Sequence, residues 1–229
     1  MFDTKKTKAV LWDLDDTLYN RRDAARKMFP GMFRALLYPG QTDAFLEEAA
    51  DYMMTQVPRN SMIHEDAFWA LLAKYPPEMP YVRAGCVEYY YTHLRRFVAP
   101  SPEPLAVVLK LKELGIKNAI VTNITPEILE FQHKKVEALG FAHLFDEIIY
   151  SAEFGIHKPD RRIFDHAASL LGVSNDQCLF VGDDPDSDIL GARNAGMEAL
   201  WLDRWEDSGR FSDDPHVHRV QSVTEYFKF

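Results

Sequence analysis

Two clusters of aspartate, each directly after a short apolar run, are the first candidates for chemistry in this sequence. One is the pentapeptide 13–17, Asp-Leu-Asp-Asp-Thr, and the other is the loop 182–188, Gly-Asp-Asp-Pro-Asp-Ser-Asp. Carboxylates that crowd together repel one another unless a cation or hydrogen-bond donors compensate. Oxygen ligands of this kind suit Mg²⁺, which binds few protein carboxylates and keeps several waters. If the fold brings the two clusters together, they indicate a magnesium site.

The alternative for any single aspartate in these loops is that it caps a helix and faces solvent, because carboxylates accept hydrogen bonds from the first free N–H groups of a helix. We assign Asp16, Asp184 and Asp186 to that role.

Two further segments place an anion-binding group after an apolar run. Thr122 and Asn123 follow the run 118–121 and precede a helix start, where exposed N–H groups and the helix dipole favour an anion. Lys158 lies before Pro159 and is the obvious counter-charge in an otherwise acidic set of loops. Each of these residues, considered alone, also fits an ordinary strand end or a surface position.

The elements that must position these groups are short apolar runs that alternate with helical segments. Each run is too short for a helix and is apolar on both faces, which predicts buried parallel strands at 9–12, 118–121, 147–150, 178–181 and 198–202. One helical segment is predicted to start at Thr125 and Pro126 and to end at Gly140. The pattern predicts an α/β fold, a doubly wound, mainly parallel Rossmann-like sheet whose ligands bind beyond the carboxyl ends of the strands.

The stretch 19–95 breaks this alternation and is predicted to be a helical insert. It contains helical patterns such as Phe45, Ala49 and Met53, and its prolines, Pro30 among them, are expected to mark turns or helix starts. We therefore predict one domain from 1–18 and 96–229 and a second from 19–95. A last edge strand near Val220 and a short helix at 223–227 are expected to end the fold.

Composition excludes several classes of protein. Of the 229 residues 47% are hydrophobic, and the formal charge is −9, which disfavours binding to extended nucleic acid. No apolar run reaches the roughly 18 residues of a membrane helix, and the first residues lack the apolar segment of a signal peptide, so we expect a cytoplasmic protein that does not contact the membrane. The oligomeric state is left open.

In this order, the four polar segments resemble the haloacid dehalogenase-like (HAD) hydrolase superfamily, in its capped phosphatase branch. The resemblance rests on the pentapeptide 13–17, Thr122, Lys158 with Pro159, and the loop 182–188, and it extends from about Lys8 to Leu202. It implies that Asp13 is the nucleophile that forms an aspartyl-phosphate.

The remaining roles follow from the same resemblance. Asp15 corresponds to the general acid/base, with its backbone carbonyl facing the metal, and Asp183 to a Mg²⁺ ligand beside Asp13. Thr122, the backbone N–H of Asn123 and Lys158 correspond to the groups that hold the phosphoryl. Asp188 corresponds to a supporting acid, either near the metal or orienting Lys158.

The implied function is Mg²⁺-dependent hydrolysis of a small phosphomonoester, either a nucleotide or a sugar phosphate. Dehalogenases that resemble this fold lack a carboxylate two residues after the nucleophile, whereas this chain has Asp15. The insert 19–95 falls where the family places a helical C1-type cap, and Tyr19 to Arg22 are candidates for a hinge or for contacts with the substrate. Two alternatives stay open, a non-catalytic regulatory or binding module and a phosphomutase.

Overall fold

The computed structural model describes residues 2–58, 61–204 and 209–229, and the chain divides into two compact units. The first unit comprises Met1–Asn20 and Pro100–Phe229, and the second comprises Arg21–Ala99. The predicted boundaries, after residues 18 and 95, fall a few residues before these. No helix in the described ranges is both long and apolar enough to cross a bilayer.

The elements, numbered along the chain, comprise six strands and ten α-helices in the described residues. The strands are β1 (Ala9–Trp12), β2 (Lys117–Thr122), β3 (Glu147–Tyr150), β4 (Cys178–Gly182), β5 (Glu198–Leu202) and β6 (Val217–Val220). The helices are α1 (Arg21–Leu36), α2 (Asp43–Gln56), α3 (Glu65–Lys74), α4 (Arg83–His93), α5 (Pro102–Glu113), α6 (Leu129–Leu139), α7 (Ser151–Phe154), α8 (Arg161–Leu170), α9 (Leu190–Ala195) and α10 (Val223–Tyr226).

The first unit is built on one parallel six-stranded sheet with the order β3-β2-β1-β4-β5-β6. β1 lies in the middle and is wholly buried, which is why its sequence is apolar on both faces. The chain first adds strands on one side of β1 and then crosses to the other side with β4. The order therefore reverses between β1 and β4, and the crevice beyond their carboxyl ends is where a fold of this kind binds ligands. The predicted α/β, Rossmann-like architecture is confirmed.

Helices α8 and α9 pack closely against each other on one face of the sheet. A Cβ atom at Gly191 would lie 2.6 Å from the Phe164 ring and 3.0 Å from the Cα of Pro159. Phe164 in turn packs against Phe180 of β4, with ring centroids 5.1 Å apart. The absence of a side chain at residue 191 therefore allows α9 to approach the Phe164 ring and the backbone of Pro159. Pro159 directly follows Lys158, so this close packing supports the loop that carries Lys158.

The described ends of the chain meet in an aromatic cluster, which comprises Phe2, Trp12, Tyr226, Phe227 and Phe229. The Phe2 and Phe227 ring centroids are 4.8 Å apart, and Trp12 of β1 stacks on Phe227 at 6.0 Å. Phe227 is buried, whereas Phe229 is 55% exposed. The segment after β6 is thus held against the first residues of the chain and the central strand.

The second unit consists of α1 to α4, and its described residues form no strand. Its core is aromatic: Phe29 stacks on Phe33, and Tyr38 contacts both Phe33 and Phe45. The expectation that Pro30 marks a turn or a helix start is wrong, because Pro30 lies inside α1. Burial of the neighbouring Phe29 and Phe33 outweighs the roughly 3 kcal/mol that an interior proline costs a helix.

Candidate active site

The carboxyl ends of β1, β2 and β4 bring most of the predicted site residues to one edge of the sheet. Asp13 directly follows β1, and its N–H donates to the carbonyl of Val181, which lies in β4. Thr122 is the last residue of β2, and Asp183 directly follows β4. Parallel strands end at the same edge, so residues far apart in sequence become neighbours there.

Lys158 is the central charge of this edge. Its ammonium lies 2.6 Å from Asp13 Oδ1 and 2.7 Å from Asp188 Oδ1, and its side chain is only 1% exposed. Burial alone would lower the pKa of Lys158, but attraction to Asp13 and Asp188 raises it above its usual value. Lys158 is therefore a permanent cation between two buried carboxylates.

Asp13, Asp183 and Asp188 form a buried carboxylate cluster, with ligand oxygens within 4.8 Å of one another. Lys158 contacts two of the three, so the cluster carries more negative than positive charge when its acids are ionised. Burial raises the pKa of Asp13 to about 7, an effect that Lys158 opposes and Asp188 reinforces, and burial likewise raises the pKa of Asp188. An oxygen-only donor set with this charge imbalance fits a hard divalent cation such as Mg²⁺.

Gly182 makes room for one member of this cluster. A Cβ atom there would lie 2.3 Å from Asp188 Oδ2, so any other residue would push the Asp188 carboxylate away. Asp188 Oδ2 also accepts a hydrogen bond from the N–H of Asp184. The indole N–H of Trp201, on the neighbouring β5, donates to the carbonyl of Asp183 and holds the loop from the other side.

The Thr122 hydroxyl has a defined hydrogen-bond direction. Gln132 Nε2 of α6 donates to Thr122 Oγ1 at 2.9 Å, and both side chains are buried. Because the oxygen accepts this bond, the hydroxyl hydrogen is available for donation to another acceptor. A phosphoryl oxygen is an acceptor of the required kind.

Asn123 and Ser151 tie the loop of Lys158 to the ends of β2 and β3. The Asn123 amide exchanges two hydrogen bonds with the backbone of Lys158, at 2.8 and 2.9 Å. The Ser151 hydroxyl bonds the N–H and the carbonyl of Ile124 and also contacts His157 Nδ1 at 2.8 Å. These contacts fix the position of Lys158. The predicted use of the Asn123 backbone N–H for phosphate binding stays a prediction.

Asp15 takes part in a second charged group beside the carboxylate cluster. Lys135 Nζ lies 2.7 Å from Asp15 Oδ1, and the Tyr19 hydroxyl donates to the same oxygen. Lys135 and Tyr19 are buried, and Asp15 is partly exposed. The predicted metal contact of its backbone carbonyl stays a prediction.

Residues 10–202 match the family model of the haloacid dehalogenase-like hydrolases. The chain belongs to this family. It is 34% identical over 209 residues to a glyceraldehyde 3-phosphate phosphatase of Methanopyrus kandleri, and the alignment covers 90% of this chain and 86% of that protein. It is 28% identical over 253 aligned positions to a phosphoserine phosphatase of Thermus thermophilus, and the alignment covers 96% of this chain and 98% of that protein.

A solved structure of a HAD hydrolase has the same fold. The HAD hydrolase YfnB of Bacillus subtilis, determined bound to magnesium, superposes with a TM-score of 0.73 at 19% identity. The match covers 96% of this chain and 97% of that one. At this identity the likeness concerns the fold, and it agrees with the sheet order described above.

The assignment of Asp16, Asp184 and Asp186 to solvent-facing caps needs one correction. Asp184 does cap the turn Pro185–Ile189, since its carboxylate accepts from the N–H groups of Asp186 and Ser187, and Asp186 is exposed. Asp16, in contrast, is 2% exposed and has φ +60°. The chain turns sharply after β1 through this left-handed residue, a conformation that aspartate tolerates better than most side chains, and the turn buries it.

Two residues at this site of the HAD hydrolase, Gln132 and Lys135, were not predicted from the sequence. Both lie in α6 at the spacing of its buried stripe, which continues through Val136 and Leu139. Polar side chains at positions where the helical pattern requires apolar ones are the signal that would have identified them.

Proposed function

We propose that this HAD hydrolase is a Mg²⁺-dependent phosphatase that cleaves a small phosphomonoester through an aspartyl-phosphate on Asp13. The observation that carries the proposal is the contact of Lys158 with Asp13 at 2.6 Å inside the buried carboxylate cluster. The arrangement supports the proposal because the carboxylate that would act as nucleophile, a permanent cation and the carboxylates that would bind a metal lie close together at the sheet edge.

In the first half-reaction, an Asp13 oxygen forms a bond to phosphorus while the bond from phosphorus to the leaving oxygen breaks. Asp15 gives its proton to the leaving oxygen, and the alcohol departs. Lys158 and the Thr122 hydroxyl hold the phosphoryl oxygens during the transfer. Lys158 lies beside Asp13 and Thr122 has its hydroxyl hydrogen available for this bond.

In the second half-reaction, a water oxygen attacks the phosphorus of the aspartyl-phosphate and gives a proton to Asp15. The bond between Asp13 and phosphorus breaks, inorganic phosphate leaves, and both aspartates return to their starting state. Asp13, Asp183 and the nearby Asp188 are the residues that would hold Mg²⁺. When bound, the ion supplies positive charge that offsets the repulsion between Asp13 and a phosphate dianion.

We propose that the substrate is a small phosphorylated metabolite and that the second unit acts as a cap that selects the leaving group. The two relatives named above are, by name, phosphatases of three-carbon phosphate esters. Such esters are therefore candidate substrates, in addition to nucleotides and sugar phosphates. The second unit is inserted directly after the segment of Asp15 and Tyr19, which supports its role as a cap.

The test is a panel of phosphate esters assayed with Mg²⁺ and with EDTA. The panel contains glyceraldehyde 3-phosphate, phosphoserine, sugar phosphates and nucleotides. We expect phosphate release that requires Mg²⁺ and that Asp13→Asn abolishes. Unchanged release by purified Asp13→Asn contradicts the proposal. Absence of hydrolysis across the panel together with tight binding to a protein favours a regulatory module, and an isomerised hexose phosphate favours a mutase.

A further inference from the structure

Lys135 and Tyr19 donate hydrogen bonds to the same carboxylate oxygen, Oδ1 of Asp15. The Lys135 ammonium also lies 5.2 Å from the centroid of the Tyr19 ring, so the three side chains contact one another. The Lys135 side chain is 9% exposed. A contact between ammonium and carboxylate that is shielded in this way is stronger and more fixed in direction than a surface ion pair.

Stability alone does not explain a lysine at this position. Residue 135 belongs to the buried stripe of α6, between Gln132 and Val136. An apolar side chain would complete that stripe without the cost of taking an ammonium out of water, and exchange of buried ion pairs for apolar residues is often neutral or stabilising. The charge at residue 135 is therefore better explained by what it does to Asp15.

We propose that Lys135 is a positioning residue that, together with Tyr19, holds the Asp15 carboxyl in one orientation through both proton transfers. This inference rests on the proposed function, in which Asp15 acts first as acid and then as base. Because Oδ1 already accepts hydrogen bonds from Lys135 and Tyr19, we assign the transferred proton to Oδ2.

The two donors can bond Asp15 in both of its states, although the ammonium binds the ionised carboxylate more strongly than the neutral acid. When Oδ2 carries the proton, Oδ1 is a carbonyl oxygen and still accepts both hydrogen bonds. When the proton has moved to the leaving oxygen, Oδ1 belongs to a carboxylate and keeps the same two bonds. The carboxyl group therefore stays in place while the proton leaves from Oδ2 and a proton from water later arrives there.

The test compares two substrates that differ in their need for an acid. The nitrophenolate of p-nitrophenyl phosphate departs without a proton, whereas the alkoxide of glycerol phosphate requires one. Lys135→Met removes the ammonium and keeps an unbranched side chain that is one atom shorter. With glycerol phosphate we expect kcat to fall by about 10- to 100-fold, which reaches at most the lower end of the roughly 10²- to 10⁴-fold contribution of general acid–base catalysis, because Asp15 itself is retained. We expect KM to change by less than about threefold.

With p-nitrophenyl phosphate the expected result differs between the two half-reactions. The first turnover, seen as a burst of nitrophenolate, keeps its rate, because aspartyl-phosphate formation needs no proton from Asp15. The steady state that follows slows by the same factor as with glycerol phosphate, because attack by water needs Asp15 as base. Lys135→Arg, which keeps the charge, is expected to recover most of the loss.

The matched control is Lys134→Met, a neighbouring lysine of α6 that pairs with Glu130 and has a side chain 42% exposed. We expect both activities of this variant to equal those of the wild type. If Lys135→Met does not fold, Lys135→Gln replaces it, since glutamine keeps a hydrogen-bond donor without the charge.

Full activity of Lys135→Met, or of Lys135→Gln where it replaces that variant, overturns the proposal. Equal losses in the burst and in the steady state with both esters also overturn it, because they indicate a purely structural role. Wild-type protein that hydrolyses neither ester with Mg²⁺ refutes the proposed function, and this inference with it. An active wild type beside a fully active Lys135→Met refutes the inference alone.

Discussion

At the scale of single residues, burial and the charge of Lys158 have opposite effects on the pKa values of the carboxylates in the candidate site. Asp13 and Asp188 are carboxylates that burial would keep protonated, and Lys158 is the ammonium that allows their ionisation. Two kinds of group would therefore control the charge of Asp13: the fixed cation Lys158, and the metal that the carboxylates would bind. Each can be perturbed separately.

The first prediction concerns Asp13 and pH. Its pKa, raised to about 7 by burial, means that the folded protein keeps a proton which the unfolded chain loses near pH 4. Without divalent cations, the wild type therefore loses stability as pH rises from about 4 to about 7 through this group. Asp13→Asn has no such proton, so its free energy of unfolding relative to the wild type should increase across this interval, by up to about 4 kcal/mol.

Urea unfolding of both proteins in EDTA at several pH values measures this difference. A relative stability of Asp13→Asn that stays flat or falls with increasing pH contradicts the burial argument. Activity with Mg²⁺ is measured on the same samples, so that lost turnover is seen beside an intact fold.

The second prediction concerns the metal ligands. Mg²⁺ that binds the folded state but not the unfolded chain stabilises the protein, by about 2.7 kcal/mol at a concentration one hundred times Kd. We expect Mg²⁺ to raise the Tm of the wild type and to have little effect on Asp183→Asn. Asp186→Asn is the matched control, because Asp186 lies in the same loop with a side chain 73% exposed. An equal Tm shift in Asp183→Asn and the wild type would remove Asp183 from the metal site.

At the scale of elements, α8 and α9 are the supports of the loop that carries Lys158. The third prediction is that Gly191→Ala destabilises the protein by about 1 to 3 kcal/mol, because its Cβ would overlap the Phe164 ring and approach Pro159. Activity with Mg²⁺ should fall as well, since Pro159 follows Lys158 directly. Gly85→Ala in α4 is the control: nothing lies within 4 Å of its Cβ, so we expect unchanged or higher stability. Thermal unfolding of both variants separates the two outcomes.

The elements themselves were largely predictable, and the contacts between distant side chains were not. The run Ala9–Trp12 has the composition of a buried strand and is one, and the five predicted apolar runs correspond to β1 to β5. The edge strand β6 contains a histidine and an arginine and has no such run. The contact of Lys135 with Asp15 spans 120 positions, and only the folded chain brings α6 beside the turn after β1. The expectation for Pro30 is wrong because the burial of Phe29 and Phe33 stabilises α1 by more than an interior proline destabilises it.

At the scale of the whole molecule, the sheet unit depends on residues from both ends of the sequence. The fourth prediction is that Phe227→Ala costs about 3 to 5 kcal/mol of stability, since its buried ring fills the space between Phe2 and Trp12. Phe229→Ala is the control and should cost less than about 1 kcal/mol, because that ring is mostly exposed. Equal effects of the two variants in urea unfolding would show that the aromatic cluster is not part of the core.

The proximity of Phe2 and Phe229, with ring centroids 6.0 Å apart, has a consequence for engineering. A short linker between residues 229 and 2 would permit a circular permutant whose new ends lie between residues 99 and 100. The permuted chain would begin with Pro100–Phe229 and continue through the linker into the residues up to Asn20, so that the sheet unit is continuous in sequence. The helical unit Arg21–Ala99 would follow as a C-terminal extension. The sheet unit could then be produced with the helical unit attached at its C-terminus, with that unit replaced, or without it.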